Sequence, residues 1–401
     1  MRRVLVVVAV ALALAPHALG DALPLATRLA NALSVRGNSP AASAAIALDL
    51  TTGRVLFTRH ADLPLAPASN EKLTVAFAAL HDLGADYRFR TEVLARGYQD
   101  GAVWHGDVYL KGFGDPTLTG LQLDRLATQV ADAGIARIDG RVLADESWFD
   151  AVRDAPGWKP GFLVNECPPL SALVANRALF DRHVTLDPAA AAAALFKQLL
   201  RRHGVASGAV SVGTSPDDAY ALAQVESAPL SDVLATMDRD SDNFIAEMLL
   251  KDLGAEIAGA GTTAAGLGVV TADLTQAGVP LAGVRLADGS GLSLLDRLTA
   301  RALASLLVAA WDDPDLQPAF WQSLPIAGIS GTLEDRMERR PARGTVRAKT
   351  GTTDRASALS GFVGDRYAFA VLQNGWPVSW TAARRAQDRF ATALAASAAG
   401  Q

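Results

Sequence analysis

Between Leu73 and Leu80 the chain reads LTVAFAAL, which on a helix of 3.6 residues per turn is apolar on nearly every side. A helix without a polar face cannot lie on a surface, so the fold has to wrap other elements around it. That demands layers of helix and sheet and a chain long enough to build them. With 401 residues, 50% of them hydrophobic and 20% charged, the composition is that of a globular protein with a sizeable core. Cores stop growing past roughly 250 to 300 residues, so the length predicts more than one domain.

The segments around this helix predict the layers. Leu25, Leu29, Ala32 and Leu33 recur at helical spacing, and SAAIALDL, Thr51-Thr52-Gly53 and RVLFTRH read as strand, tight turn and strand. Two prolines in ADLPLAPASNEK end the second strand, and Ser69 is placed to cap the buried helix. From about Asp86 to Ser227 short strands (RFRTEV, AVWHGDVYLKG, ARIDGRVLAD) mix with helical stretches such as TGLQLDRLATQVADAG and PAAAAAALFKQLLRRHG. Pro229 to Leu253 returns to helix, and GTVRAKTG, SALSGFV and YAFAVLQNG are three strand-like runs closed by the helix TAARRAQDRFATALAAS. The expectation is an α/β (α+β) layer fold in which 21–85 and 228–401 form one domain and 86–227 an inserted one.

Charge and spacing then exclude most functions. Lys plus Arg is 37 against 42 Asp plus Glu, a net charge of −5 without a long basic run, so nucleic acid is not an expected partner. The histidines stand singly, with no H-E-x-x-H or Cys/His spacing, and neither G-x-S-x-G, a phosphate-binding P-loop nor G-x-G-x-x-G occurs. No metal site is expected. Arg2, Arg3, an apolar run from Val4 to Ala15, Pro16 and small residues to Gly20 read as a secretory signal peptide over residues 1–20, too short an apolar run for a transmembrane anchor. In that exported setting the lone Cys167 cannot pair internally and reads as a small buried thiol.

Three motifs carry chemistry. Ser69 and Lys72 form S-x-x-K at the start of the buried helix, where i, i+3 spacing puts hydroxyl and amine on one face. A buried lysine loses its charge more readily, and a neutral amine can take the serine proton and make it a nucleophile. Ser241-Asp242-Asn243 falls at a helix-to-helix corner, where an ordinary helix cap is the competing explanation. Lys349-Thr350-Gly351 ends a strand, placing a cation and a hydroxyl beside a glycine that lets a substrate backbone approach. With six lysines in the chain, K-T-G is expected by chance only about 0.03 times. S-x-x-K, S-x-N and K-T-G in that order are the set found in penicillin-binding proteins and class A β-lactamases.

The strings PASNEKL, KGFGDPTLT, PPLSALVANRA, MDRDSDNFIAEMLL, DGSGLS, AGISGTLEDRM and GTVRAKTGT extend the likeness from Pro67 to Thr352. The chain resembles the low-molecular-mass penicillin-binding proteins of the D-alanyl-D-alanine carboxypeptidase/endopeptidase family, with an insert shorter than in larger members. The resemblance implies a penicillin-binding-protein/serine β-lactamase-like fold, an antiparallel sheet flanked by helices and interrupted by a mixed α/β insert. It implies hydrolysis of peptidoglycan stem peptides through an acyl-enzyme, inhibition by β-lactams, and no cofactor. It implies Ser69 as nucleophile, Lys72 as general base and Ser241 as proton relay. Asn243 would position Lys72 and the substrate amide. Lys349, Thr350, Gly351 and Thr352 would bind substrate, with the Lys349 charge helping to keep Lys72 neutral. The backbone N–H groups of Ser69 and Thr352 would form the oxyanion hole. A β-lactamase or esterase on the same fold would show fast deacylation, and a silent cell-wall binding protein would release no alanine. Asp115, between Gly and Pro, Asp288, before Gly, and Asp145 read as turn chemistry, and Glu71 as helix surface.

Overall fold

A computed structural model describes residues 23–399, so the segment read as a signal peptide lies outside the described residues. The chain runs through α1 (Leu25–Leu33), the hairpin β1 (Ser43–Asp49) and β2 (Val55–Arg59), and α2 (Lys72–Leu83). Then come β3 (Arg90–Asp100), β4 (Val103–Gly112), α3 (Gly120–Asp132), β5 (Arg137–Ile138), β6 (Val142–Asp145) and a single turn α4 (Phe162–Asn165). The pair β7 (Leu179–Phe180) and β8 (His183–Val184), α5 (Pro188–Arg202), β9 (Val210–Val212) and β10 (Tyr220–Glu226) follow. Helices α6 (Leu230–Arg239), α7 (Asn243–Ala258), α8 (Thr263–Gln276), α9 (Ala300–Asp312) and α10 (Gln317–Ser323) lead to β11 (Val346–Thr352), β12 (Ala356–Val363), β13 (Tyr367–Asn374) and α11 (Trp380–Ala399).

Five strands in the order β11-β12-β13-β1-β2, all antiparallel, form the first sheet. Period-2 alternation divides its side chains between two cores. Ala44, Ile46, Ala358, Phe362, Ala370 and Leu372 pack with α2, α6, α7 and α9 on one face. Ala45, Ala47, Leu359, Val363, Phe369 and Val371 pack with α1 and α11 on the other. Strands buried on both faces explain why SAAIALD and YAFAVLQ are apolar almost throughout. Each fully buried Leu or Phe here contributes on the order of 1.5–3 kcal/mol. Helix α2 is buried from Lys72 to Leu80, packed against α7 and α8 with α6, α9 and α10 around it.

A second sheet draws its strands from residues 90–226. Its order is β10-β3-β4-β6-β9 with β5 also on β4; β10, β3 and β4 are antiparallel neighbours, and β4, β6 and β9 run parallel. Helices α3 and α5 cover it, with Leu123, Leu126, Phe196 and Leu200 in a core of their own. A smaller cluster of Phe149, Cys167, Leu170, Phe244 and Met248 joins the 149–178 segment to α7. Cys167 is buried, and burial raises its thiol pKa well above the ordinary value.

The entry to α2 differs from expectation. Ser69 caps nothing: residues Ala68–Glu71 form a 3₁₀ turn and the α-helix begins at Lys72. With three residues per turn, Ser69 and Lys72 eclipse on one side. Glu71 is fully buried instead of on the helix surface, because the same turn sends it inward against the layer that carries Glu247 and Asp288.

Candidate active site

The turn that presents Ser69 is held by two glycines from distant segments. Ala68 has φ +48, a left-handed conformation unusual for a residue with a Cβ. A Cβ on Gly291, itself at φ +82, would stand 2.0 Å from the Ala68 carbonyl oxygen. A Cβ on Gly351 would stand 2.8 Å from the Pro67 carbonyl oxygen and 3.1 Å from the Ala68 Cβ. The glycine of K-T-G therefore makes room for the protein's own serine turn. Asn70 adds a tie, donating from Nδ2 to the Lys349 carbonyl at 3.0 Å.

Lys72 Nζ makes three contacts, to Ser69 Oγ at 3.1 Å, Asn243 Oδ1 at 2.8 Å and the Ser290 carbonyl at 2.7 Å. The last two partners can only accept, so a neutral Lys72 amine spends both its N–H groups on them. In that state the lone pair would point at Ser69 and accept from its hydroxyl. Asn243 is held in turn by donating from Nδ2 to the Glu166 carbonyl at 3.0 Å, and Asp242 caps α7 by accepting from the Ile245 N–H. Ser241 sits between α6 and α7 at φ +59, and Lys349 Nζ donates to its Oγ at 2.9 Å and to the Thr350 carbonyl at 3.2 Å. Alternation along β11 sends Lys349 to the α2 face and Thr350 to the other, where the Thr350 hydroxyl donates to Thr332 Oγ1 at 2.7 Å.

These groups open on a cleft of about 540 Å³ lined by Ser69, Ser241, Thr332, Thr350 and Thr352, with Glu334, Arg336 and Arg384 farther out. Lys72 and Lys349 are both fully buried. Burial lowers the Lys72 pKa, against the pull of Asp288, Glu247, Asp242 and Asp238. Burial and then the charge of Lys72 bring Lys349 down to about 7. Two buried lysine charges so placed disfavour one another. Beneath Lys72 the acids are pushed up: Glu247 to about 8 by burial and Asp288, and Asp296 to about 12 by burial, Asp288 and Glu71.

All eight residues singled out in the sequence meet in this region: Ser69, Lys72, Ser241 and Asn243, with Lys349, Thr350, Gly351 and Thr352 along one strand. Sequence reasoning missed Asn70, the Ser290 carbonyl, Thr332 and the segment around Trp158 and Glu166. DGSGLS and SGTL marked two of these places without saying what they did. Trp158 Nε1 donates to Asp288 Oδ2 at 2.8 Å, and Asp288 also accepts from the Gly291 and Ser293 N–H groups at 2.7 Å each. Asp115 takes local N–H and hydroxyl donors from Thr117, and Asp145 takes the local Ser147 N–H and, from 70 residues away, the Ser215 N–H and hydroxyl. Among the described residues, His81, Asp82 and Asp273 are spaced for metal ligation, but they lie at the far end of α2, about 14 Å along the axis from Lys72.

A family model described as the D-Ala-D-Ala carboxypeptidase 3 (S13) family matches residues 25–186 and 182–397. The chain is 36% identical to a D-alanyl-D-alanine carboxypeptidase of Actinomadura sp. (strain R39), covering 88% of this chain and 81% of the relative. It is 34% identical to a carboxypeptidase of Mycobacterium tuberculosis, covering 86% and 78%. Penicillin binding protein 4 of Haemophilus influenzae shares the fold, with a TM-score of 0.80 at 22% identity over 93% of this chain and 99% of that one.

Proposed function

The chain belongs to the D-Ala-D-Ala carboxypeptidase 3 (S13) family, and on that premise we propose how its serine D-alanyl-D-alanine carboxypeptidase chemistry runs through Ser69. Ser69 Oγ attacks the carbonyl between the last two D-alanines of a peptidoglycan stem peptide while Lys72 Nζ takes its proton. The backbone N–H groups of Ser69 and Thr352 receive the oxyanion. Ser241, donated to by Lys349, passes a proton to the departing amine, and Asn243 holds Lys72 and the substrate amide. The Lys349 cation, with Thr350 and Thr352, binds the terminal carboxylate, and Gly351 keeps their strand against the serine turn. Water then releases the acyl-enzyme.

The observation that carries this reading is the disposition of Lys72, whose two obligate acceptors leave its third direction on Ser69. A β-lactam offers a strained amide to the same serine, and a relative of like fold has been seen complexed with a β-lactam. Residues 86–227 are read as an inserted domain, supported by a sheet and core of their own. The apolar N-terminal segment and the family's cell-wall chemistry support a location outside the cytoplasm. Among the described residues no helix is long and apolar enough to cross a membrane.

The test is intact-protein mass after brief incubation with a penicillin, together with release of D-alanine from a D-Ala-D-Ala peptide. The wild type should carry one adduct and release alanine, and Ser69→Ala should do neither. An adduct that persists on Ser69→Ala would remove Ser69 as the nucleophile.

A further inference from the structure

Glu247 stands four residues after Asn243 on α7, one turn along the same face. Asn243 faces Lys72, so Glu247 faces what lies beside Lys72, the loop from Asp288 to Ser293. Its Oε1 accepts from the Gly289 N–H at 3.0 Å and the Ser290 N–H at 2.8 Å. Asp288 takes the next N–H groups of the loop, those of Gly291 and Ser293. The backbone on either side of the Ser290 carbonyl is thereby gripped by a carboxyl group, and that carbonyl is an acceptor for Lys72.

We propose that Glu247 is a positioning residue for the base: it ties the Ser290 carbonyl to the helix that carries Asn243. Both obligate acceptors of Lys72 are then held as one body, and the amine lone pair stays on Ser69. This rests on the reading of Ser69 as nucleophile and Lys72 as base. Three further facts fit it. Glu247 is completely buried, and its other oxygen, Oε2, has no partner. A carboxyl pushed up to about 8, by burial first and Asp288 next, is mostly protonated near neutrality, and its carbonyl oxygen suffices for two N–H donors. The loop has no slack, since Gly291 abuts the Ala68 carbonyl directly.

Glutamine reproduces the protonated side chain in shape and keeps the acceptor, whereas alanine removes it and orphans two buried N–H groups. The experiment is saturation kinetics of acylation by a fluorescent penicillin on the full chain, separating non-covalent affinity from the acylation step, with thermal melting alongside. Glu247→Gln should acylate within about threefold of wild type. Glu247→Ala should slow the acylation step on the order of 10²-fold, the cost of a misplaced reacting group, with its non-covalent affinity unchanged. Wild-type acylation by Glu247→Ala overturns the proposal, as does a glutamine variant as slow as the alanine one. So does a parallel fall in affinity, acylation and melting temperature. If Glu247→Ala does not fold, Glu247→Gln decides alone, and a loss beyond about tenfold counts against the proposal. Ser69→Ala in the same assay keeps the two readings apart: labelling of that variant would defeat the nucleophile assignment, not the role of Glu247.

Discussion

Asp145 on β6 and Glu71 beside Ser69 are both buried acids, and the protein treats them in opposite ways. Asp145 is met by the Ser147 N–H, the Ser215 N–H and hydroxyl, and Lys111 at 3.5 Å. Burial opposes its ionisation, yet these bonds hold it below the ordinary carboxylate range. Neither oxygen of Glu71 has a partner, and burial, then Asp288 and Glu247, raise its pKa well above the usual value. The contrast extends to the regions around them. Residues 90–226 build an apolar core and leave ion pairs such as Arg96–Asp218 and Arg137–Asp139 in solvent. The layer between α2, α7 and β11 buries Lys72, Lys349, Asp238, Glu247, Asp288 and Asp296 completely. One region is built for stability, and the other holds unfavourable electrostatics of the kind that functional sites concentrate.

The largest expected effect that would sharpen this contrast is at Lys72. Lys72→Met should slow acylation by a penicillin on the order of 10³-fold, the loss of a general base. Its melting temperature should be no lower than the wild type's, because an apolar side chain of similar volume removes the desolvation cost of burying the amine. Calorimetry beside the acylation assay decides; a collapse in melting temperature would break the comparison.

In the other region the signs should reverse. Phe196, fully buried in the second core, should cost about 3–5 kcal/mol of stability as Phe196→Ala. The acylation rate per folded molecule should be unchanged. Denaturant unfolding and active-site titration measure the two quantities, and a slowed acylation step would mean that the second core bears on the site directly.

The smallest effect is a proton. Lys349 titrates near 7, so above that pH it is largely neutral, and a bound carboxylate should recharge it. Calorimetry in buffers of different ionisation enthalpy should detect proton uptake on ligand binding at about pH 8, less at about pH 6, and none in Lys349→Met. The stability sign follows. Between about 7 and the ordinary 10.5 the unfolded chain holds the extra proton, so stability rises with pH across that window. The cost of burying Lys349 is full below 7 and fades towards 10.5. The melting-temperature gain of Lys349→Met should therefore be largest below pH 7.

How much could be read in advance differs from residue to residue. The β1–β2 hairpin, the three C-terminal strands and the buried α2 follow from periodicity, because a strand or helix buried on every side has to be apolar on every side. The eight site residues follow from three motifs in order. Glu71 could not be placed, since a shift from α to 3₁₀ geometry over four residues turns its side chain from outside to inside. Ser290 contributes a backbone carbonyl, which no residue type announces. Gly351 could be recognised as a need for space, but not as space for Pro67 and Ala68.

By itself the sequence determined the periodicities, the order of the motifs and the family likeness, all properties written in residue type and spacing. Only the tertiary structure decided which way Lys72 points, because its three partners come from α2's own turn, from α7 and from a loop more than two hundred residues away. It also decided in which direction the pKa values of the two lysines move. Spacing along a chain carries no dielectric, and burial, which lowers both, exists only once the layers have closed over them.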